Sequence, residues 1–544
     1  MIAATWGRMP CVSATSEVPA PRRSGVARNT IIFSIATGAS RIVGLVREIV
    51  AARYFGTSGP ASAFTLAFQV PNLVRGLFAD AAISAAFVPV FTELLEKGKR
   101  REAFQLAGSL LMIILGGLGA LSLFFILAAS VVMPLFIGGQ FTEHLTHLTV
   151  VMSQILFPIV VLLGVNGLVV GILNAYEHFS IPAIAPLVWN VVIIAALIGL
   201  RPAFSSAHEI YAYAVGVLAG TIVQLGMSLP PLKRIDFRFA LGGSWRDPRI
   251  RQVLTLMLPV TIGLGVINFD LVINSSLGSL VSDQAPRAID AAFRIYMLPQ
   301  GMFSVALATV LFPTLSRYAA RKDMDGLRAT MATGVRQIFL LLIPAAAFTL
   351  VLATPIVRLV FQHGAFGPDS THRVSTALFW FSFSLPFAGV NLLLTRTFFS
   401  IQRPWIPTAL ATGNLVVNGL ISLALYKPFG IAGLVIGTAV ASAGMTLSQG
   451  YYLRRELHGR LEGGRTLVAV GQMSVAAAAL GAAAYGVWWG LDSALGRSIP
   501  AQIVSVGLSA VAGFVVYAAA VLVQRIPEAR RLELAVAGRL RRRG

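Results

Sequence analysis

The chain has 544 residues, 56% of them hydrophobic and only 12% charged. A soluble domain has about twice that share of charge, so a water-dissolved enzyme is excluded. The net charge of +21 would point to nucleic acid on a soluble protein, but its placement along this chain gives another account. The single cysteine, Cys11, excludes a disulfide framework and a cysteine-based metal cluster.

Residues 1–27 contain Pro, Ser and Arg without an apolar core. They are expected to be a disordered cytoplasmic tail rather than a cleavable signal. Fourteen apolar stretches follow, near 29–52, 64–92, 104–134, 147–173, 181–199, 209–230, 252–277, 291–315, 334–353, 374–400, 405–425, 429–452, 467–490 and 501–524. Most are long enough to cross a hydrocarbon layer about 30 Å thick. They do not alternate as barrel strands would. Backbone groups in lipid must be satisfied internally, so the predicted class is an all-α polytopic membrane protein of about fourteen transmembrane helices.

Lys and Arg in the loops set the expected orientation. The loops after the second, sixth, eighth, tenth and twelfth stretches, together with both termini, hold 31 of the 43 basic residues. The opposite loops hold seven: Arg53, Arg201, Arg287, Arg358, Arg373, Lys427 and Arg497. This bias places both termini in the cytoplasm. Most of the charge is then topology signal and attraction to anionic headgroups, and no nucleic-acid partner is expected.

A faint repeat runs at an offset of about 225 residues. Gly76-Leu77-Phe78 matches Gly301-Met302-Phe303, and Phe87-Val88-Pro89 resembles Phe312-Pro313. Ser180-Ile181-Pro182 matches Trp405-Ile406-Pro407, with Asn190 opposite Asn414. The offset spans six helices, so the copies share one orientation, a transporter architecture. The expected organisation is an N-terminal lobe at 28–235, a C-terminal lobe at 236–455, two added helices at 456–525 and a basic cytoplasmic tail at 526–544.

Arginine in mid-bilayer costs about 2.5–3.5 kcal/mol on insertion scales, so it is rarely there without a role. Arg41 and Arg47 lie in the first stretch, Arg75 in the second and Arg294 in the eighth. Only Glu48 and Asp80 are acidic in the first two stretches, which leaves a surplus of positive charge there. A guanidinium keeps its charge when desolvated and matches phosphate geometry. Arg41, Arg47, Arg75 and Arg294 are therefore the candidate contacts to an anionic passenger, for which a diphosphate headgroup is the natural guest. The alternatives are snorkelling near helix ends and structural pairing with Glu48 or Asp80, which suit Arg47 in part and Arg53 and Arg396 better. Pro71, Asn72, Gly76 and Pro299 stand beside these arginines as candidates for bending helices around a cavity.

Asp270 is the acidic residue of the seventh stretch, Asn414 and Asn418 share a face of the eleventh, and Thr438 is on the twelfth. Carboxylate, amide and hydroxyl oxygens form a ligand set for a hard cation such as sodium. Helix–helix hydrogen bonding is the alternative. No phosphate-binding loop is present, and histidines 144, 147, 178, 208, 363, 372 and 458 form no metal-ligand motif.

The run from Ser40-Arg41 through Arg47-Glu48, then Phe55-Gly56, then Phe68 through Arg75 to Pro89, resembles the MurJ/MviN family. So do Gly171 to Asn174, Phe179 to Pro186, Phe361-Gln362-His363-Gly364 and Arg396 to Pro404. The resemblance runs from about 29 to about 525. It implies a lipid II flippase of peptidoglycan synthesis, within the multidrug/oligosaccharidyl-lipid/polysaccharide superfamily and not an enzyme. It further implies a bacterial inner-membrane location, two lobes about a cationic cavity, and alternating access. Arg41, Arg47, Arg75 and Arg294 match the family's cavity arginines. The added helices match a groove for the polyprenyl tail. Asp270, Asn414, Asn418 and Thr438 match the sodium site of some members. Expected partners are lipid II and membrane lipids, with cell-wall synthesis proteins as further candidates. The competing readings are an exporter of another polyprenyl-diphosphate-linked glycan and a membrane-embedded glycosyltransferase. Ser62 and Phe293 stand where many members carry Asp, so any pairing role of those carboxylates is expected to be lost.

Overall fold

The computed structural model describes residues 23–78, 80–176, 178, 180–237, 247–457, 459 and 461–530. The described side chains do not include those of 23–35, 37, 75, 77–85, 256, 258–260 and 262–268. Cys11, His458 and most of the two terminal tails therefore lie outside the described residues.

Nineteen α-helices and no strand make up the described residues. The first group is α1 (Arg23–Phe55), α2 (Gly59–Phe78), α3 (Asp80–Glu96), α4 (Arg100–Val132), α5 (Glu143–Leu156), α6 (Pro158–Ala175), α7 (Ser180–Leu200), α8 (Tyr211–Ser228) and the short α9 (Pro230–Arg234). The second is α10 (Pro248–Val281), α11 (Ala285–Pro299), α12 (Ala306–Ala320), α13 (Met324–Val351), α14 (Ala353–Phe361), α15 (Pro368–Ser400), α16 (Trp405–Phe429) and α17 (Ile431–Glu456). α18 (Gly463–Leu495) and α19 (Ile499–Val523) end the chain's described helices.

By length and composition, eleven helical rods among the described residues can cross a membrane. The expected fourteen is not reached by that criterion. α1 and α10, of 33 and 34 residues, do not enter it, and part of each lies outside the described side chains. Residues such as Leu127 and Val131 of α4, and Val511 and Val515 of α19, turn large apolar side chains outward. That surface suits lipid, not water.

Proline stands at two of the breaks. Pro158 has no N–H to give, and the fourth predicted stretch divides there into α5 and α6. Pro299 ends α11, and Gln300–Val305 forms a π-helical turn before α12. Such turns frequently mark functional sites. The predicted loop 354–373 contains α14 and the start of α15.

Three apolar cores hold the helices. One joins α3, α4 and α6 around Phe87, Phe91 and Phe157. A second packs α1, α2, α5, α7 and α8 around Phe64, Leu148 and Tyr213. The third, around Phe361, Phe381 and Phe398, draws in α11 through α15, α17 and the added α18 and α19. Small residues let helices approach closely. Gly216 and Gly220 of α8 face Ala196 and Trp189 of α7, and Gly433 and Gly437 of α17 face Leu425 and Ser422 of α16. The described residues at the start of the expected basic tail, 526–530, pack against the bundle. Ile526 enters the third core, and buried Glu528 pairs with Arg336, which also bonds Glu462 at 2.8 Å.

The two groups of helices meet along α10, which packs on α2 and α3 and pairs Arg249 with Glu102 of α4, and they also close against each other near Gly56 and Gly364. There the Ala365 N–H donates to the Arg53 carbonyl at 2.8 Å, and the Thr57 and Ser370 hydroxyls are 2.8 Å apart. Gly56 and Gly364 meet at this seam with φ of +55° and +64°. Both lie in the left-handed region that glycine adopts without strain. The Gly138 N–H donates to Ser279 Oγ at 2.6 Å nearby.

Candidate functional site

Just inside that seam, α1 and α11 bring five charged side chains together. Glu48 of α1 is the hub, with 2% exposure. Its Oε1 accepts from Arg47 at 2.6 Å and from Tyr213 Oη at 3.3 Å, and Arg294 Nη1 lies 3.2 Å away. Its Oε2 accepts from both terminal nitrogens of Arg287 at 3.1 Å. Asp290 then grips Arg294 from the side, Oδ2 to Nε at 2.9 Å and Oδ1 to Nη2 at 3.3 Å. It also accepts from Arg287 at 3.0 Å. The helix spacing makes this possible. Asp290 and Arg294 are four apart and share a face of α11.

Arg47 stands over the Trp189 ring at 4.9 Å, a cation–π contact. The Arg287 N–H donates to Ser62 Oγ at 3.2 Å, across the two groups of helices. Ser62 and Arg287 lie 225 positions apart, the offset of the sequence repeat. Trp189 also borders a cavity of about 250 Å³ with Pro71, Asn72, Pro186 and Gln224.

Of the four arginines singled out from sequence, Arg47 and Arg294 enter this cluster. Arg41 is exposed on α1 and lies against the π-helical turn. A Cβ added to Gly301 would sit 2.7 Å from its guanidinium. The Arg75 side chain lies outside the described residues; its backbone is in α2, one residue before Gly76. Pro71 is inside α2 and Pro299 ends α11.

Sequence reasoning missed Arg287 and Asp290. Arg287 was expected in an outer loop; instead it is helical, and 4% exposed. Its signal was the i, i+3 and i, i+4 run Arg287, Asp290, Arg294. The positive surplus expected of the first two stretches meets acidic partners from both helix groups. Three arginines meet two carboxylates here, so the cluster carries a net charge of +1. The carboxylate absent at Phe293 is supplied by Asp290, one turn earlier.

The second polar group lies between α10, α16 and α17. Asn418 Nδ2 donates to Asp270 Oδ1 at 2.7 Å and to Asn274 Oδ1 at 3.2 Å. Asn274 Nδ2 reaches Asp270 Oδ2 at 3.3 Å and Thr438 Oγ1 at 3.5 Å. Thr438 and Ser422 donate to Asn418 Oδ1 at 3.4 and 3.3 Å. Asn414 Oδ1 is buried with no hydrogen-bond partner. Asp270, Asn418 and Thr438 are thus brought together, with Asn274 added. The oxygens of these four residues fit a hard cation chemically. At present amide N–H groups occupy the carboxylate, so a cation would require those amides to turn. Among the described residues no three His, Cys, Asp or Glu side chains form a metal-binding group.

An apolar groove of about 860 Å³ runs between α13, α15, α17 and α18. Phe339, Phe383, Phe387, Leu447, Val470 and Ala477 line it.

Residues 51–495 match the family model described as lipid II flippase MurJ. The chain belongs to the MurJ family. Its relatives include the lipid II flippase MurJ of Burkholderia cenocepacia, 32% identical over 408 residues, covering 74% of this chain and 79% of that one. The probable lipid II flippase MurJ of Treponema pallidum is 28% identical over 445 residues, covering 80% and 82%. In fold, the chain is similar to a lipid II flippase MurJ solved in an inward closed conformation. The TM-score is 0.75 at 22% identity, covering 91% of this chain and 99% of the other. An inward-facing multidrug resistance MATE transporter of the MOP superfamily follows, with TM-score 0.68, 14% identity and coverage of 77% and 94%. MurJ proteins are transporters, so this chain is a multi-pass membrane transporter rather than an enzyme.

Proposed function

We propose that this MurJ-family chain flips lipid II from the cytoplasmic to the outer leaflet of a bacterial inner membrane, serving peptidoglycan synthesis. The observation that carries the reading is the convergence of Arg47, Arg287 and Arg294 on one buried carboxylate, beside exposed Arg41, between two groups of helices. A diphosphate offers these arginines what Glu48 offers them now, oxygen pairs that accept forked donors. Arg41, Arg47, Arg75 and Arg294 are the proposed contacts. The apolar groove beside α18 would keep the polyprenyl tail out of water.

Transport is by alternating access. The structure's closed seam is then the outer gate, and both termini are cytoplasmic, as the loop charges require. The shared fold with transporters solved in inward-facing and outward-facing conformations supports such a cycle. Sodium would be held by Asp270, Asn414, Asn418 and Thr438, with Asn274, and would supply positive charge to the Asp270 carboxylate.

The test is lipid II accessibility in proteoliposomes, with an imposed sodium gradient. Arg41→Ala, Arg75→Ala and Arg294→Ala should each abolish flipping while the protein still inserts. Normal complementation of a flippase-depleted cell by Arg75→Ala or Arg294→Ala would refute the reading.

A further inference from the structure

We propose that Arg287 is a positioning residue, the counter-cation that holds Glu48 while Arg47 and Arg294 turn to an anionic headgroup. The inference rests on the reading that Arg47 and Arg294 grip a diphosphate.

The two oxygens of Glu48 are not equivalent. Oε1 is shared by Arg47, Arg294 and Tyr213. Oε2 is met by Arg287 through both terminal nitrogens. The cations also differ in freedom. The Arg294 side chain is 32% exposed, whereas that of Arg287 is 4% exposed. Arg287 is held at both ends, its backbone N–H by Ser62 and its guanidinium by Glu48 and Asp290. Asp290 grips Arg294 through Nε and Nη2, which leaves Nη1 as the nitrogen facing Glu48.

Suppose a diphosphate draws Arg47 and Arg294 off Oε1. Glu48 then keeps the Arg287 guanidinium, which it shares with Asp290, on Oε2 and the Tyr213 hydroxyl on Oε1. Without Arg287, the same step would strand a buried carboxylate with no counter-charge, which is strongly unfavourable. The two exchangeable arginines would then be held back by Glu48. Arg287 thus sets how much of the phosphate affinity of its neighbours is available to substrate, without touching the substrate itself.

The experiment is a double-mutant cycle on the purified full-length protein in detergent, with inorganic pyrophosphate as probe and calorimetry as readout. Wild type should bind, and Arg294→Ala should not. Arg287→Gln should weaken binding about tenfold or more, as loss of one partner of a buried charge pair does. Glu48→Gln with Arg287→Gln keeps the cluster at +1 and should recover most of the lost affinity, because residues in direct contact couple and the second change removes the carboxylate that held Arg47 and Arg294 back. Arg287→Lys should fall between wild type and Arg287→Gln. Unchanged binding in Arg287→Gln, or no recovery in the double variant, overturns the proposal. If Arg287→Gln does not stay folded, Glu48→Gln is compared with the double variant. Once the carboxylate is gone, removing Arg287 should cost clearly less than the loss of about tenfold expected with Glu48 in place, since only its long-range attraction remains. An equal or larger loss would make Arg287 a direct ligand contact and overturn the assignment. A wild type that binds no pyrophosphate overturns the diphosphate reading itself, and this inference with it. A wild type that binds while the cycle fails overturns the inference alone.

Discussion

Glu48→Gln is the most direct probe of what closes the seam. The change preserves side-chain size but removes the anion that three guanidiniums share. Asp290 remains, so the net charge of the cluster rises from +1 to +2. Removing one partner from a buried ion pair costs about 3–5 kcal/mol, because the other charge stays behind without compensation. If opening the seam lets water reach the arginines, that cost falls on the closed form. At 1.4 kcal/mol per factor of ten, even the lower figure shifts the closed-to-open ratio by about 100-fold. The seam supplies its own reporter. Thr57 and Ser370 have hydroxyls 2.8 Å apart, so cysteines at both positions lie within reach of a disulfide when the seam is shut. In a Cys11→Ser background, Thr57→Cys with Ser370→Cys should cross-link readily under mild oxidation and stop lipid II flipping until reduced. Adding Glu48→Gln should slow the cross-link and lower the unfolding midpoint. An unchanged cross-linking rate together with an unchanged midpoint would show that Glu48 does not hold the two helix groups together.

Gly364→Ala forces a left-handed residue to carry a Cβ, at about 1–2 kcal/mol, and drives that carbon into the Arg53 main chain. The same cysteine pair should cross-link more slowly in this variant; an equal rate would refute the seam's dependence on glycine. Asp270→Asn should remove any effect of an imposed sodium gradient on flipping, measured in proteoliposomes, and a retained sodium response would dissociate that site from coupling. Arg336→Gln leaves Glu462 and buried Glu528 without their shared partner. Limited proteolysis should then cut faster between α17 and α18, and an unaltered cleavage rate would mean that Arg336 does not anchor the added helices.

Much of the fold was legible because lipid leaves few choices. A long apolar run must be a helix. The breaks were less legible: the fourth and eighth stretches run through Pro158 and Pro299, where the rods divide, yet Pro186, Pro344 and Pro386 sit inside unbroken helices. The three-dimensional closure of the seam was not legible. It depends on Gly56 and Gly364, 308 positions apart by their numbers, and on a main-chain hydrogen bond to Arg53 that any residue type could make. The cation-type oxygen set was only half legible. Asp270, Asn418 and Thr438 stood out as polar residues in apolar runs, yet Asn274, on the same helix face as Asp270 and one turn on, did not.

The arginine cluster shows why spacing decides more than adjacency. A residue immediately before an arginine on a helix points about 100° away from it, as the 3.6-residue turn requires. Phe293 could therefore be apolar at little electrostatic cost, provided a carboxylate stood one turn earlier, and Asp290 does. The same turn carries Arg287 to the opposite side of Asp290, where α1 presents Glu48. Counting charges along the first two stretches led to a surplus of positive charge. Counting the described side chains across the helix interface gives three arginines to two carboxylates, with exposed Arg41 as a further cation. A site so arranged can hold its arginines together without substrate and still release two of them to a competing anion. A simple anion trap built from unpaired arginines would have to bear their mutual repulsion whenever it stood empty.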